Sequence, residues 1–171
     1  MTVMEHTFTC TDAALLLRPL TPADSERYRL LRNQDQNRRC FFYSDPISVK
    51  SQQEWYQNYL RRENDYMFAV CDADGTFLGG AALYDVTGDT AEFGRLIIDQ
   101  AAAGRSGCGA QALLLLCRLA RETLHLTSLH LEVYQDNLPA RKTYEKAGFL
   151  TKRQYPAPDG MRDICYMEKL L

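Results

Sequence analysis

The clearest chemical signal in this sequence is a glycine-rich turn at residues 104–110, which reads Gly-Arg-Ser-Gly-Cys-Gly-Ala. The turn lies between a segment with a strand pattern and a long segment with an apolar helical period. Glycines let the backbone approach a ligand closely, and the start of a helix adds unpaired N–H groups with partial positive charge. The turn therefore predicts an anion site suited to a pyrophosphate. Taken alone, it is equally compatible with a plain strand–helix connection.

Two other phosphate-binding motifs compete for the same glycines. A P-loop would end in Gly-Lys-Ser/Thr, whereas this turn ends in Gly-Ala-Gln, so a nucleotide triphosphatase is disfavoured. A dinucleotide-binding fingerprint fits better: Gly107-x-Gly109-x-x-Ala112, with Glu132 at the spacing of a ribose-binding acid. However, the strands before the turn have an antiparallel pattern, and fewer than 60 residues follow Ala112. A dinucleotide-binding oxidoreductase remains a weaker alternative.

A second segment, about 30 residues beyond the turn, resembles part of the GNAT acetyltransferase superfamily. Residues 131–149 read Leu-Glu-Val-Tyr-Gln-Asp-Asn-Leu-Pro-Ala-Arg-Lys-Thr-Tyr-Glu-Lys-Ala-Gly-Phe, similar to that family's strand–Asn–helix–Tyr–Glu–Lys–x–Gly–Phe. Gly107 and Gly109 match the small positions of its signature Gln/Arg-x-x-Gly-x-Gly/Ala, whereas Gly104 departs from the first position and Arg105 stands beside it. The resemblance covers residues 15–169 and is most specific over 92–149.

The resemblance implies that acetyl-CoA is the cofactor. Asn137 would contact the pantetheine arm, and the hydroxyl of Tyr144 would face the CoA sulfur. A backbone N–H near residues 96–98, where the family splays two strands apart, would polarise the thioester carbonyl. The cofactor contacts expected on this basis are Leu96, Ile97, Ile98, Gly104, Arg105, Ser106, Gly107, Cys108, Gly109, Ala110, Asn137, Ala140, Arg141 and Tyr144.

Acetyl transfer to an amine needs a base, a polarised carbonyl and a stabilised thiolate. The base is needed because an aliphatic ammonium has a pKa near 10. Tyr144 is suited to protonating the thiolate. Glu132 is the first candidate for the base, at a position similar to the base of ribosomal-protein alanine acetyltransferases, and Glu92 is its rival. For both glutamates, a solvent-facing strand position in a salt link is the non-catalytic alternative.

The acceptor site is expected between the first two helices and a final hairpin. The Leu-Arg-Asn run at 31–33 and the segment 91–95 resemble amino-sugar acetyltransferases and also enzymes that act on ribosomal-protein N-termini. An aromatic loop in this region could stack on a sugar ring, or it could simply pack on the core. Without a strongly acidic groove, a polycationic aminoglycoside is disfavoured. The expected acceptor contacts are Arg32, Asn33, Phe41, Phe42 and Tyr84.

Three functions therefore stand against one another. The first is an N-acetyltransferase acting on a small-molecule amine, with an amino sugar favoured, or on a peptide N-terminus. The second is the dinucleotide-binding oxidoreductase, and the third is a non-catalytic acyl-CoA-binding module. We expect neither a nucleic acid nor a membrane as partner. A homodimer is a further expectation, because GNAT-like proteins are often dimers.

The elements that must position these residues follow from the pattern of the chain. A strand at 15–18 precedes a helix capped by Thr21 and running to about Asn33. A loop at 34–47 leads to a helix capped by Ser48 and ending near Arg62. Three antiparallel strands follow at 66–71, 76–84 and 92–98, and then a helix, a strand at 129–133, a helix at 137–146 closed by Gly148, and a hairpin. This order predicts an α/β (α+β) fold: a mixed, mostly antiparallel sheet of six to seven strands with helices on both faces and one parallel crossover.

Composition sets the remaining bounds. The chain has 171 residues, 46% of them hydrophobic and 25% charged, with a net charge of −2. This predicts one globular domain over 1–171, with 1–12 as an N-terminal extension, and argues against a nucleic-acid binder. The six cysteines are spread without Cys-x-x-Cys spacing, so no metal site is expected. The sequence has no secretory or membrane-spanning pattern, which favours a cytoplasmic location.

Overall fold

The computed structural model describes residues 5–171 as eight strands and six helices. The strands are β1 (Cys10–Thr11), β2 (Leu15–Pro19), β3 (Tyr66–Asp72), β4 (Phe77–Thr87), β5 (Thr90–Ile98), β6 (Ser128–Tyr134), β7 (Leu150–Pro156) and β8 (Asp163–Leu170). The helices are α1 (Pro22–Arg32), α2 (Asp35–Arg38), α3 (Val49–Tyr59), α4 (Gln100–Ala103), α5 (Cys108–Glu122) and α6 (Leu138–Lys146).

All eight strands form one sheet in the order β1-β2-β3-β4-β5-β6-β8-β7. Every neighbouring pair is antiparallel except β5 and β6, which are parallel and connected through α4 and α5. The predicted mixed, mostly antiparallel sheet is confirmed, with one strand more than the upper expected count. The sequence predicts the last hairpin but not its position in the sheet, where β8 lies between β6 and β7.

Local capping signals explain where the helices begin and end. The side chain of Thr21 accepts a hydrogen bond from the backbone N–H of Asp24, whose carboxylate accepts one from Thr21 in return. Ser48 caps α3 in the same way through Ser51. Gly148, with φ of +98°, follows α6 in a left-handed conformation that favours glycine. These caps were predicted correctly, although α3 ends at Tyr59 rather than near Arg62.

Three local expectations need correction. The segment 34–47 is not entirely a loop, because it contains the short helix α2. Another short helix, α4, precedes the glycine-rich turn. Part of the expected N-terminal extension belongs to the sheet, since Cys10 and Thr11 of β1 pair with β2. Residues 1–4 of that extension lie outside the described residues.

Helices cover both faces of the sheet, as predicted. On one face, α5 buries Ala112, Leu113 and Leu116 in a cluster with side chains such as Phe68 and Phe93. On the other face, α1 and α3 contribute an aromatic cluster, whose buried members from the helices are Tyr28, Leu31, Tyr56 and Tyr59. Within residues 5–171, no helix has the length and apolar character needed to cross a membrane.

Candidate active site

The candidate site is a cleft that opens where β5 and β6 separate. The two strands pair only from Thr90 to Glu92 and from Ser128 to His130. Beyond these pairs they diverge and enclose a cleft of about 560 Å³. The cleft is lined by Asn37, Cys40, Phe41, Phe42, Tyr84, Glu92, Phe93, Gly94, Arg95, Leu96, Ile97, Ile98, Gln100, Gly107, Gly109, Ala110, Leu131, Glu132, Val133, Asn137, Pro139, Ala140, Thr143 and Tyr144.

A bulge in β5 shapes one wall of this cleft. Gly80 pairs with Ile97 and Ala82 with Gly94, so three steps along β5 match two along β4. Arg95, within the bulge, has φ of +56°, which few non-glycine residues adopt. Because β4 occupies one edge of β5, the backbone N–H groups of the other edge are available to the cleft. This is the segment expected to polarise a thioester carbonyl.

The side chain of Arg95 is anchored away from the bulge. Its guanidinium donates to both carboxylate oxygens of Asp65, at 2.6 and 3.0 Å, and stacks on the ring of Tyr84 at 4.2 Å. The backbone carbonyl of Arg95 accepts a hydrogen bond from the hydroxyl of Tyr28 at 2.9 Å. This network was not predictable from the sequence. Asp65 and Arg95 are 30 residues apart, and no local pattern connects them.

Glu92 is the better enclosed of the two predicted bases. Its Oε1 accepts a hydrogen bond from the Tyr84 hydroxyl at 2.9 Å, and its Oε2 lies 3.9 Å from Nε2 of His130. Burial raises the pKa of Glu92, and the negative charge of Glu132 raises it further, against the opposing effects of Tyr84 and His130. A carboxylate with a raised pKa is a stronger base than an exposed one, so Glu92 is suited to take a proton. His130, beside it, was not predicted as a site residue.

The tyrosine that holds Glu92 also explains a glycine of the site. A Cβ on Gly94 would lie 2.6 Å from the Tyr84 hydroxyl oxygen, so only glycine leaves room for that ring. Burial and the nearby charge of Glu92 raise the pKa of Tyr84. The phenol therefore stays protonated and donates to Glu92 at all physiological pH values.

Glu132 lines the same cleft but is exposed to solvent. Its carboxylate accepts a hydrogen bond from the hydroxyl of Tyr155 on β7. Burial raises the pKa of Tyr155, and the hydrogen bond to Glu132 adds to this effect. The two predicted bases thus share one cleft but differ in exposure and in partners.

Tyr144, the predicted acid, lines the cleft from α6. Its ring packs edge-on between Phe93 and Phe149, with ring centroids 6.1 Å apart in each case. Burial raises the pKa of its phenol to about 12. At neutral pH the hydroxyl therefore carries its proton and can donate it.

Asn137, the predicted pantetheine contact, is the N-cap of α6 and lines the cleft. Its side-chain oxygen accepts from the backbone N–H of Ala140 at 3.4 Å, so the cap holds the helix that carries Tyr144. The amide nitrogen of Asn137 makes no hydrogen bond within the described part of the chain. That nitrogen can donate to a carbonyl of the pantetheine arm.

The glycine-rich turn forms an anion site at the start of α5. Gly104 and Gly107 adopt left-handed φ values of +66° and +91°. Gly107 is the N-cap of α5 and supplies no side chain to the first backbone N–H groups of the helix. Gly109 faces Leu96, 3.6 Å from where a Cβ would stand. The turn therefore offers unpaired N–H groups beside the diverging strands, as a pyrophosphate requires.

Some predicted cofactor residues do not line the cleft. Gly104, Arg105 and Ser106 lie on the exposed part of the turn, and the guanidinium of Arg105 donates to Gln111 at 2.7 Å. Cys108, the first residue of α5, is buried in the core. The side chains of these four residues therefore leave the anion site to the backbone. Arg141, on α6, donates a hydrogen bond to the backbone carbonyl of Gln135 at 3.1 Å.

Of the residues predicted to contact the acceptor, some line the cleft and others do not. Phe41, Phe42 and Tyr84 line the cleft, whereas Arg32 and Asn33 do not. Asn33 instead holds Ile47 by two hydrogen bonds of 2.8 Å, one to its carbonyl and one from its N–H. Its amide thereby closes the connection between α1 and α3, a structural role that the sequence did not indicate.

Arg162 is a further residue that the sequence analysis missed. It pairs with Asp136 at 2.6 Å, donates to the carbonyl of Arg39 at 2.7 Å and stacks on Tyr134 at 3.4 Å. Phe42 packs edge-on against the same tyrosine at 5.0 Å. Arg162 therefore fastens the segment 39–42 to the end of β6.

In residues 5–171, no group of three or more His, Cys, Asp or Glu side chains is arranged to hold a metal ion.

Known proteins place this architecture in a family. Residues 14–150 match the family described as the GNAT acetyltransferase domain. Because the match spans most of the chain, the protein belongs to the GNAT acetyltransferase family. No curated protein matches the sequence significantly.

Solved structures agree with this fold. Spermidine N-acetyltransferase from Vibrio cholerae, in complex with CoA and spermine, is similar with a TM-score of 0.82 and 22% identity, over 93% of this chain and 96% of that chain. A GNAT-family acetyltransferase from Bacillus anthracis has a TM-score of 0.80 and 14% identity, over 95% and 98%. A putative phosphinothricin N-acetyltransferase has a TM-score of 0.75 and 26% identity, over 92% and 98%.

Family and cleft together define the class of activity. The protein is an acyl-CoA-dependent N-acetyltransferase that uses acetyl-CoA and transfers the acetyl group to an amine. The dinucleotide-binding alternative is wrong. That fold needs a mostly parallel sheet, whereas the sheet next to the glycine-rich turn has a single parallel pair of strands, β5 and β6, within the described residues. The alternative of a non-catalytic acyl-CoA-binding module is likewise set aside, because the matching family is one of acetyltransferases.

Proposed function

We propose that the protein acetylates the primary amine of a small molecule, with Glu92 as the base and Tyr144 as the acid. The observation that carries this proposal is that both residues line the cleft where β5 and β6 diverge. Burial raises the pKa of each group, and the shift favours proton uptake by Glu92 and proton retention by Tyr144. Two groups with opposite proton roles thus face one space.

In the proposed reaction, the carboxylate of Glu92 removes a proton from the acceptor ammonium. The free amine then attacks the thioester carbonyl, and backbone N–H groups of the β5 bulge stabilise the negative charge on the carbonyl oxygen. When the carbon–sulfur bond breaks, Tyr144 donates its proton to the departing thiolate. As the amide forms, the attacking nitrogen also loses its second proton, which passes through solvent to the Tyr144 phenolate. The products are the N-acetylated amine and CoA, and Glu92 releases the first proton to solvent.

Glu92 is preferred to Glu132 because its environment is specific. Glu92 is held by Tyr84 and lies beside the bulge, whereas Glu132 is exposed. This reverses the order that the sequence suggested. Glu132 is proposed to bind the ammonium of the acceptor and guide it toward Glu92.

The aromatic lining supports an acceptor with a ring or a hydrocarbon face. Phe41 and Phe42 stand at the acceptor end of the cleft, together with the ring of Tyr84. An amino sugar fits this combination of aromatic faces and carboxylates, and it remains the acceptor that we propose to test first. A polyamine is the second candidate, because Glu92 and Glu132 place two carboxylates on the path of the amine, and because one similar structure is a spermidine N-acetyltransferase.

The test measures the release of CoA with glucosamine, spermidine and an alanine-initiated tripeptide as acceptors. We expect turnover with a small amine, and a loss of about 10²- to 10⁴-fold in kcat/KM for Glu92→Gln. Glu132→Gln should raise KM more than it lowers kcat. Glu54→Gln, an exposed glutamate on α3, is the matched control and should behave like the wild type.

Two results would reject the assignment. If Glu132→Gln lowers kcat more than Glu92→Gln does, the base is Glu132. If the tripeptide is the only acceptor that turns over, the enzyme acts on peptide N-termini rather than on small molecules.

A further inference from the structure

A buried cation that pairs with no carboxylate among the described residues lies behind the acceptor end of the cleft. Arg32, in the last turn of α1, is only 6% exposed. Its Nη2 donates to the carbonyl of Tyr43, and its guanidinium plane stacks on the ring of Phe41 at 3.7 Å. Its Nη1 is buried without a hydrogen-bond partner in residues 5–171. Within that range no carboxylate lies within 4.0 Å of it.

A second arginine adds to this positive charge. The Nε of Arg38, on α2, is also buried without a hydrogen-bond partner among the described residues. Its Nη2 pairs at 2.6 Å with Asp35, whose side chain is 90% exposed. Arg32 donates to the carbonyl of Tyr43, and Arg38 donates through Nη1 to the carbonyl of the next residue, Ser44, at 3.4 Å, so the two cations lie near each other. Burial lowers the pKa of Arg32, and the charge of Arg38 lowers it further. One solvated carboxylate thus accompanies two guanidinium groups.

Arg32 precedes, and Arg38 lies within, the segment that forms one wall of the cleft. Asn37, Cys40, Phe41 and Phe42 line the cleft from this segment. The carboxylates of Glu92 and Glu132 line the opposite wall. Neither arginine lines the cleft itself. Arg32 lies behind the ring of Phe41, so its positive charge stands behind a lining residue of the cleft, whereas the two carboxylates line the cleft directly.

A buried guanidinium nitrogen without an acceptor, such as Nη1 of Arg32, is costly, and the cost is removed when an anion binds it. The planar fork of arginine matches a carboxylate or a phosphate in two-point geometry. We propose that the acceptor carries such an oxyanion, which Arg32 and Arg38 bind while the amine of the same molecule lies at Glu92. Rotation of the Phe41 ring, which is only partly buried, gives the oxyanion access to Arg32. The inference rests on the proposed function, since it names the chemical class of the acceptor.

Matched pairs of acceptors test this inference. One pair is glucosamine and glucosamine 6-phosphate, and the other is butylamine and 4-aminobutyrate. At saturating acetyl-CoA, we expect the anionic member of one pair to have a kcat/KM about 30-fold higher than its neutral partner. This is the size of effect that one hydrogen bond between charged groups produces. A preference within the first pair identifies a phosphate, and a preference within the second identifies a carboxylate.

Variants then assign the preference to the arginines. Arg32→Gln should reduce the ratio between the anionic and neutral members to within about threefold, mainly through a higher KM for the anionic one. Arg38→Gln, at a more exposed position, should reduce the same ratio without the risk of disturbing the core. Arg61→Gln, an exposed arginine after α3, should leave both the ratio and the rates unchanged. Thermal unfolding of each variant establishes that it is folded.

The inference is overturned if neither anionic acceptor is preferred, or if both arginine variants keep the wild-type ratio. These results differ from a failure of the proposed function. In that case the wild type acetylates none of the amines, or Glu92→Gln turns them over at the wild-type rate. Turnover of neutral amines through Glu92, with no preference for an anion, rejects only the oxyanion site.

Discussion

At the residue scale, the chemistry of the cleft depends on how Glu92 is kept ready to accept a proton. Two influences oppose each other at this carboxylate. Burial and the nearby Glu132 raise its pKa, whereas the hydrogen bond from Tyr84 and the proximity of His130 lower it. A base must be unprotonated to act, so kcat/KM should fall as pH falls through the pKa of Glu92. Because that pKa is raised, the fall should begin above the range where an ordinary glutamate titrates.

Replacing Tyr84 by Phe gives a pH prediction with a definite sign. The lost hydroxyl donates to Oε1 of Glu92 at 2.9 Å and stabilises the charged carboxylate. Without it the pKa of Glu92 rises further, so the acid limb of kcat/KM should move to higher pH by roughly one unit. The measurement is the pH–rate profile from about pH 5 to 9 with a small amine.

A matched variant controls for the loss of a hydroxyl group. Tyr66→Phe removes a hydroxyl that donates only to the carbonyl of Glu63 at the surface, so its profile should equal that of the wild type. An unmoved limb in Tyr84→Phe, or one moved to lower pH, would show that Glu92 is not the group that titrates.

The cleft residues that belong to local sequence motifs could be predicted from the sequence, and the others could not. Glu92, Glu132 and Tyr144 were named from the sequence, and the structure brings all three to one cleft. By contrast, Tyr155 meets Glu132 only because β8 positions β7, and that order of strands is set by packing between distant segments.

At the scale of elements, the bulge of β5 is stabilised by the buried carboxylate of Asp65, which pairs with both Arg95 and Arg62. Asp65 is 4% exposed and accepts from Arg95 at 2.6 and 3.0 Å and from Arg62 at 3.0 Å. The ion pair between Arg95 and Asp65 holds Arg95 in its left-handed conformation and keeps its guanidinium stacked on the ring of Tyr84. Removing one partner leaves the other charge partly buried and uncompensated.

Asp65→Asn should therefore destabilise the protein by about 3 kcal/mol. Urea unfolding should show a lower midpoint and an unchanged slope, because the folded state keeps its compactness. Asp35→Asn is the matched control, since its carboxylate pairs with Arg38 but is 90% exposed, and it should cost less than about 1 kcal/mol. Equal losses in the two variants would show that the interior pair contributes nothing particular to the bulge.

The elements show which features of a fold can be read from sequence. Helix caps at Thr21 and Ser48 and the terminator Gly148 are local signals, and each was located correctly. The placement of β8 beside β6 was not predicted, because strand neighbours are chosen by distant contacts and leave no mark in either segment. The short helices α2 and α4 were missed for a different reason: a single turn carries too little periodicity to be recognised.

At the scale of the whole molecule, the cleft lies at the seam between two parts of one sheet. Strands β1 to β5 form an antiparallel part, and β6, β8 and β7 form another. Only three parallel residue pairs join β5 to β6, from Thr90 to Glu92. We propose that a cofactor in the cleft would contact both sides of this seam, through the glycine-rich turn on one side and Asn137 on the other. Its binding should therefore stabilise the entire fold rather than one loop.

This seam leads to a prediction for thermal unfolding. Acetyl-CoA at 100 times its Kd should stabilise the folded state by about 2.7 kcal/mol, which raises Tm by roughly 5–10 °C for a chain of this size. NAD⁺ at the same concentration is the control, because it shares the pyrophosphate and adenosine but lacks the pantetheine arm that we propose contacts Asn137 and Tyr144. We expect it to shift Tm by less than about 2 °C. Equal shifts with the two ligands would mean that the turn binds a pyrophosphate without the diverging strands, and that the seam takes no part in cofactor recognition.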